Sequence, residues 1–528
     1  MQKRIRIAAV VICAAFIAVS ARYWFIINDE DIVSASVGRG TYTVNVCRHK
    51  GYIYDRNMKP LVNRGSEYYA LINPDTFDVE EIYPLIADYA SLTENIGGHA
   101  PFLCRLKNGD ADDPLTPIIE TKDRYGSDNT ARHIIGYSSE NFGGCGVEGL
   151  YSDFIGENSC STRISYSVNA LGNVLDGADV NITEERENTA GVATSLDYDI
   201  QLICEEAMKN IGRGAAVVMD VESGDILASV SHPVYDINDL EAYLDDEDSP
   251  FVNRAFSAYS VGSVFKLVIA ASALESGISE EFSCTCGGKV TIGSNTFSCH
   301  KWAGHGKLDM RTATVESCNP YFILLGRNIP CDMLHDFASA AGFGTENDLG
   351  GLVSASGYLP TADELSVPAE NANFCFGQGR LSATPIQICS FICAAANGGK
   401  LPQAQLIYGT VNSSDEKISH ETSSRQIFSE ETADKLKSFM RDTLYKDNSV
   451  GIPYNTDGGG KTSTAQTGRI GSDGMEELTC WFAGFFPYDE PKYAAVIVAE
   501  DGISGNLTCA PVFKEIAEKV TEHDLIVK

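Results

Sequence analysis

Tyr259-Ser260-Val261-Gly262-Ser263-Val264-Phe265-Lys266 is followed by an apolar, Ala-rich run to Ser276 and then by Gly277. The run has helical length, and Gly277 is a natural helix stop. Ser263 is therefore expected to open a helix, with Lys266 one turn on and on the same face. A serine hydroxyl is a weak nucleophile until a base removes its proton. A lysine is such a base once burial or nearby positive charge lowers its pKa. The positive end of a helix beside the serine would also favour a developing oxyanion. Alone, Ser-x-x-Lys at a helix start is a common accident.

Two further clusters follow in the chain. Ser317-Cys318-Asn319 offers a hydroxyl that could relay a proton and an amide that could hold a substrate carbonyl; a plain helix cap is its bland reading. Gly458-Gly459-Gly460 precedes Lys461-Thr462-Ser463-Thr464, where the ammonium and the hydroxyls of Thr462 and Thr464 could hold a carboxylate. A phosphate-binding P-loop is excluded, because the Gly at the head of that motif is here Asn455.

Around these motifs, residues 191–528 read as one α+β domain. A helix is expected over Asp197–Asn210, and a hairpin joins Ala215–Val221 to Ile226–Val230 through Ser223-Gly224. Cys480–Phe486 and Tyr493–Ala499 form a second strand pair, and Val512–Val520 a terminal helix. Strands at both ends with helices between imply a sheet closed by distant parts of the chain. Residues 29–190 read as short strands and loops. Residues 1–28 carry Lys3, Arg4, Arg6 and Arg22 and an apolar run from Ile7 to Ala21, continued by Tyr23 to Ile27. That is long enough to span a bilayer if Arg22 snorkels, and the basic end places residues 1–6 in the cytosol. A cleaved signal peptide is the competing reading. With 40 Lys+Arg against 72 Asp+Glu the net charge is −32, which disfavours nucleic acid as a partner.

The ordered set S-x-x-K, S-x-N, K-T-S beyond a membrane anchor resembles the class B penicillin-binding proteins. Lys50-Gly51-Tyr52-Ile53-Tyr54-Asp55-Arg56-Asn57 is similar to the family's pedestal segment. His133-Ile134-Ile135-Gly136-Tyr137, Gly146-Val147-Glu148-Gly149, Phe376-Gly377-Gln378-Gly379 with Thr384-Pro385, and Trp481-Phe482-Ala483-Gly484-Phe485 extend the likeness over most of the chain. The resemblance implies a penicillin-binding transpeptidase fold: an antiparallel sheet flanked by helices, with a helical subdomain. A β-rich pedestal (29–190) and one transmembrane helix (1–28) would precede it. It implies Ser263 as acylated nucleophile, Lys266 as its base, Ser317 as proton shuttle and Asn319 as substrate-amide ligand. Lys461, Thr462, Ser463 and Thr464 would line the sheet edge, with the oxyanion hole formed by the N–H groups of Ser263 and Thr464. The implied substrates are peptidoglycan stem peptides ending in D-Ala-D-Ala, with β-lactams as mimics. A lipid-linked glycan polymerase is the implied membrane partner; no cofactor is expected.

Three positions depart from the family pattern: Ser463 stands for the Gly of K-T-G, Met58 for a Gly in the pedestal turn, and Val261 for a Pro. On a strand edge close to substrate, Gly permits backbone approach, so Ser463 could narrow the donor site. Cys284, Cys286, Cys299, His300 and His305 precede Cys318. Zinc ligands can be spaced so, but a disulfide is expected instead, with Cys299 as the partner of Cys318 and a redox switch on the S-x-N motif as the consequence. A buried free thiol is the plain alternative. Among other functions, a class A β-lactamase is excluded because no Glu between Asn319 and Lys461 has an Asn four residues on. A D,D-carboxypeptidase, a β-lactam receptor and a catalytically impaired scaffold complete the set.

Overall fold

A computed structural model describes residues 2–527 except 29–39, 76, 99, 111–115, 127–128, 140, 170–173, 176–179, 417, 419–420, 472–473 and 475. The N-terminal segment is one helix, α1 (Gln2–Asn28), containing a 21-residue apolar stretch, Arg6–Ile26. Residues on the far side of the expected 28/29 boundary lie outside the description.

The chain divides into two compact units, which interleave in sequence. The smaller holds Asn63–Gly126 and Asn158–Asn188 with the segment before Gly51. It is built of strands β1 (Thr41–His49), β2 (Gly65–Ile72), β3 (Phe102–Leu106), β4 (Ile118–Asp123), β5 (Cys160–Ser167) and β6 (Asn181–Glu184). Two antiparallel sheets result, in the orders β1-β5-β6 and β3-β2-β4. Side chains alternate faces along a strand. Accordingly Ala70 and Ile72 pack with Ile82 and Leu106, while Leu71 packs with Ile119, Ile164 and Tyr166.

The larger unit contains Tyr52–Val62, Ser127–Glu157 and everything from Thr189 onward. The expected contiguous boundary at 190/191 is thus replaced by an interleaved one. Backbone pairing explains it: Tyr52–Tyr54 runs parallel to Gly191–Thr194, which pairs in turn with Ile407–Val411. Asp55 accepts from the backbone N–H groups of Asn57, Lys59 and Tyr198, pinning the turn to the start of α2 (Tyr198–Met208). Met58 takes a left-handed φ of 62°, so the turn keeps the backbone shape that favours Gly.

The centre of this unit is a five-stranded antiparallel sheet. Its strands are β7 (Gly214–Asp220), β8 (Ile226–His232), β9 (Gly459–Ile470), β10 (Glu476–Phe486) and β11 (Tyr493–Glu500), in the order β8-β7-β11-β10-β9. Both expected strand pairs are present, and Gly224 (φ 81°) closes the hairpin between β7 and β8. Strands β7, β10 and β11 are buried on both faces, so they read as unbroken apolar runs. On one face α2 and α7 (Ala510–Val527) form a core in which Cys204, Met208, Phe513 and Ile516 meet Val218, Phe482 and Ile497. On the other lies α5 (Pro385–Ala396), whose Cys389 thiol donates to the carbonyl of Ala494. Thr384 caps α5 in a reciprocal capping box with Gln387. Helices α3 (Lys266–Glu275), α4 (Asn319–Gly326) and α6 (Glu430–Leu444) supply the helical side.

Candidate active site

Ser263 lies in a tight 3-10 turn, Gly262–Phe265, that runs directly into α3. The turn is held from two directions. The Trp481 indole donates to the carbonyl of Ser260 (2.9 Å), and the Gly262 N–H donates to the carbonyl of Gly377 (2.7 Å). Gly262 has φ 63°, and a Cβ on Gly377 would lie 2.0 Å from the Gly262 carbonyl oxygen, so both positions require glycine. The Phe376–Gly379 loop therefore forms the back wall of the Ser263 turn.

Lys266 is wholly buried, and its Nζ lies 3.0 Å from Ser263 Oγ. The same nitrogen donates to Asn319 Oδ1 (2.6 Å), the Ser317 carbonyl (2.7 Å) and Ser317 Oγ (3.2 Å). Burial, and then the Lys461 cation, hold the Lys266 ammonium well below the usual amine range. An amine so placed can stand neutral beside the serine and accept its proton. Lys461, 1% exposed, approaches Ser317 Oγ from the sheet side at 3.1 Å. Burial first, and Lys446 second, push Lys461 down to about 7. Ser317 is therefore a hydroxyl shared by two buried lysines, and its φ of 51° is left-handed. It sits just before α4, whose first residue is Asn319.

Strand β9 is an edge strand, with alternating sides. Lys461 and Ser463 point inward and are buried, whereas Thr462 is half-buried and Thr464 exposed. The structure thus brings together Ser263, Lys266, Ser317, Asn319, Lys461 and Ser463, and places Thr462 with Lys461 and Ser317 in the wall of a cavity of about 260 Å³. His300 and Lys446 line it as well; His300 was noted in the sequence only within the cysteine–histidine cluster, and Lys446 carried no motif that would have marked it. Ser463 Oγ accepts a 2.7 Å hydrogen bond from the N–H of Ser263.

The expected Cys299–Cys318 disulfide is absent, and all sixteen cysteines are free thiols. The sulfurs of Cys286, Cys299 and Cys318 converge with an imidazole nitrogen of His305, all within 4.8 Å of one another. Four donors around one point satisfy a tetrahedral ion better than one S–S bond. Three thiolates and an imidazole are a set that suits zinc. Sequence spacing did contain Cys286 and His305, but not that their loops fold onto one point: Cys284–Cys286 pairs antiparallel with Gly306–Leu308, bringing the first and third donors together.

The family model "Penicillin binding protein transpeptidase domain" matches residues 214–518. Stage V sporulation protein D of Bacillus subtilis is 27% identical over 71% of this chain, a match that spans 59% of that relative. Peptidoglycan D,D-transpeptidase MrdA of Acinetobacter baumannii is 23% identical over 99% of this chain and 87% of its own. The ceftriaxone acyl-enzyme complex of penicillin-binding protein A from M. tuberculosis shares the fold, with a TM-score of 0.67 at 20% identity, covering 90% of this chain and 98% of that one. With a matched domain that spans more than half the chain and holds every residue of the S-x-x-K, S-x-N and K-T-S clusters, the chain belongs to the penicillin-binding protein transpeptidase family.

Proposed function

We propose that this protein is a membrane-anchored peptidoglycan D,D-transpeptidase acting through an acyl-enzyme on Ser263. The observation that carries it is the 3.0 Å approach of a wholly buried, depressed-pKa Lys266 to Ser263 Oγ. Ser263 Oγ attacks the carbonyl between the two terminal D-Ala residues as its proton passes to Lys266 Nζ. When the C–N bond breaks, the proton reaches the leaving amine through Ser317 Oγ, which lies 3.2 Å from Lys266 and 3.1 Å from Lys461. An amine of a neighbouring strand then attacks the ester, Ser263 regains its proton, and a cross-link has formed. Water in place of that amine gives D,D-carboxypeptidase activity from the same site. Lys461, with Thr462 and Thr464 on the open side of β9, is suited to the donor's terminal carboxylate.

The apolar helix Arg6–Ile26, with basic residues before it, is read as a single-pass anchor that places the catalytic unit outside the cytoplasm. A membrane-embedded glycan polymerase is the proposed partner. Cys286, Cys299, His305 and Cys318 are proposed to hold a structural zinc ion. Bound there, the ion would supply cross-linking of the loops and no chemical step. Cys318 lies between Ser317 and Asn319, so those loops set the S-x-N geometry.

The test is labelling of the purified ectodomain with a fluorescent penicillin. Wild type should be labelled covalently and Ser263→Ala should not. Equal labelling of both would overturn the assignment.

A further inference from the structure

In the acyl-transfer reading the N–H of Ser263 is a donor of the oxyanion hole, yet it already has an acceptor. Ser463 Oγ takes that N–H at 2.7 Å. Ser463 is 3% exposed, and its hydroxyl occupies the space left by Gly262, where a Cβ would lie 2.3 Å from Ser463 Oγ. The same Cβ would lie 3.1 Å from Ala465 Cβ, so only a glycine at 262 leaves room for the Ser463 hydroxyl. Buried and bonded to the Ser263 N–H, the hydroxyl is held in place and is not swinging freely in solvent.

From this geometry we infer that Ser463 is an internal cap on the oxyanion hole and a specificity-determining residue of the enzyme. The inference rests on the acyl-transfer reading given above. An amide proton makes one strong hydrogen bond. While Ser463 Oγ holds it, an incoming carbonyl gains at most a shared, weakened bond. Acylation requires Ser463 to turn its hydroxyl away, and the donor must supply the energy for that turn. A natural stem peptide has an extended backbone to lay along the edge of β9, and binding energy from such remote parts can be used at the reacting centre. A small β-lactam has fewer such contacts. Ser463 therefore selects against small acylating agents more than against long peptide donors. A glycine at this position, having no hydroxyl, leaves the Ser263 N–H open.

The lower bound on the effect is one hydrogen bond, about 5-fold in rate. The upper bound is the loss of a complete oxyanion donor, about 10²–10³-fold. The experiment measures the second-order rate constant for acylation by a fluorescent penicillin in wild type, Ser463→Gly and Ser463→Ala. Melting temperatures of all three show that the variants are folded, and Ser263→Ala is added to each background. Alanine keeps the Cβ and the strand, so it separates the hydroxyl from backbone loosening. Both variants should acylate at least about 5-fold faster than wild type, with all labelling lost on Ser263→Ala. Acceleration in the glycine variant alone would move the effect to the Cβ and overturn the hydroxyl cap. Equal or slower acylation in both variants, with wild type still labelled through Ser263, would overturn the cap and leave the acyl-enzyme reading standing. Absence of labelling in every background would overturn both.

Discussion

Replacing Ser317 tests the shared hydroxyl and its strained backbone in one pair of variants. Ser317→Ala removes an acceptor used by both Lys266 and Lys461. Lys266 keeps Asn319 Oδ1, the carbonyl of residue 317 and Ser263 Oγ, so its loss is cushioned. Among the described residues Lys461 keeps only the carbonyl of Thr462, at 3.1 Å. The loss therefore falls on Lys461, and one hydrogen bond from a charged donor is worth about 1.5–3 kcal/mol. The measurement belongs at pH 6, where Lys461, with a pKa of about 7, is a cation. Ser317→Gly loses the same bonds but relieves the left-handed φ of 51°. That conformation costs a residue with a Cβ about 1–2 kcal/mol. The glycine variant should then be the more stable of the two by about 1 kcal/mol, or about 2 °C in melting temperature for a unit of this size. Acylation should fall alike in both, by about 10²–10⁴-fold, because both lack the relay hydroxyl. Thermal melting and penicillin labelling read the two effects separately. A glycine variant no more stable than the alanine one would refute the strain argument. Wild-type acylation in either would refute the relay.

Zinc analysis of the purified protein should find one ion per chain, and Cys299→Ser should lose it with a lower melting temperature; a metal-free wild type of unchanged activity would sink the zinc reading. Lys461 has a folded pKa of about 7, below the 10.5 of a free lysine, so the unfolded chain binds more protons between those values. Stability should therefore rise with pH across that window, with a slope of up to about 1.4 kcal/mol per pH unit from this group. Denaturant titrations from pH 6 to 9 should show a smaller rise in Lys461→Met than in wild type. Trp481→Phe keeps an aromatic ring but releases the carbonyl of Ser260. It should cost about 1–3 kcal/mol and slow labelling; an unchanged rate would show that Ser260 needs no such tether.

The local signals were strong where the physics is local. The apolar run after Ser263 and the stop at Gly277 (φ 80°) lie as expected, as does the hairpin over Glu222–Asp225. Periodicity located α2 within a few residues, because Asp197 caps it and one face is apolar. The order of the three motifs also singled out Ser263, Lys266, Ser317, Asn319 and Lys461, which the structure brings within hydrogen-bond reach of one another. Long-range placement was legible only in outline, as a sheet joining both ends of the catalytic segment. Residues 52–62 read as pedestal, yet strand pairing puts them in the catalytic unit. Four separated donors read as a disulfide and spare residues, because sequence spacing does not say where loops fold back. Nor could Ser463 be judged from its identity alone. Its effect depends on a hydroxyl meeting an N–H two hundred residues away in sequence, and only the packing of a strand edge against a glycine turn creates that contact. Short-range order follows from side-chain period and caps. The site follows from which backbone atoms the sheet and helices bring within hydrogen-bond reach, and that is a property of the whole fold.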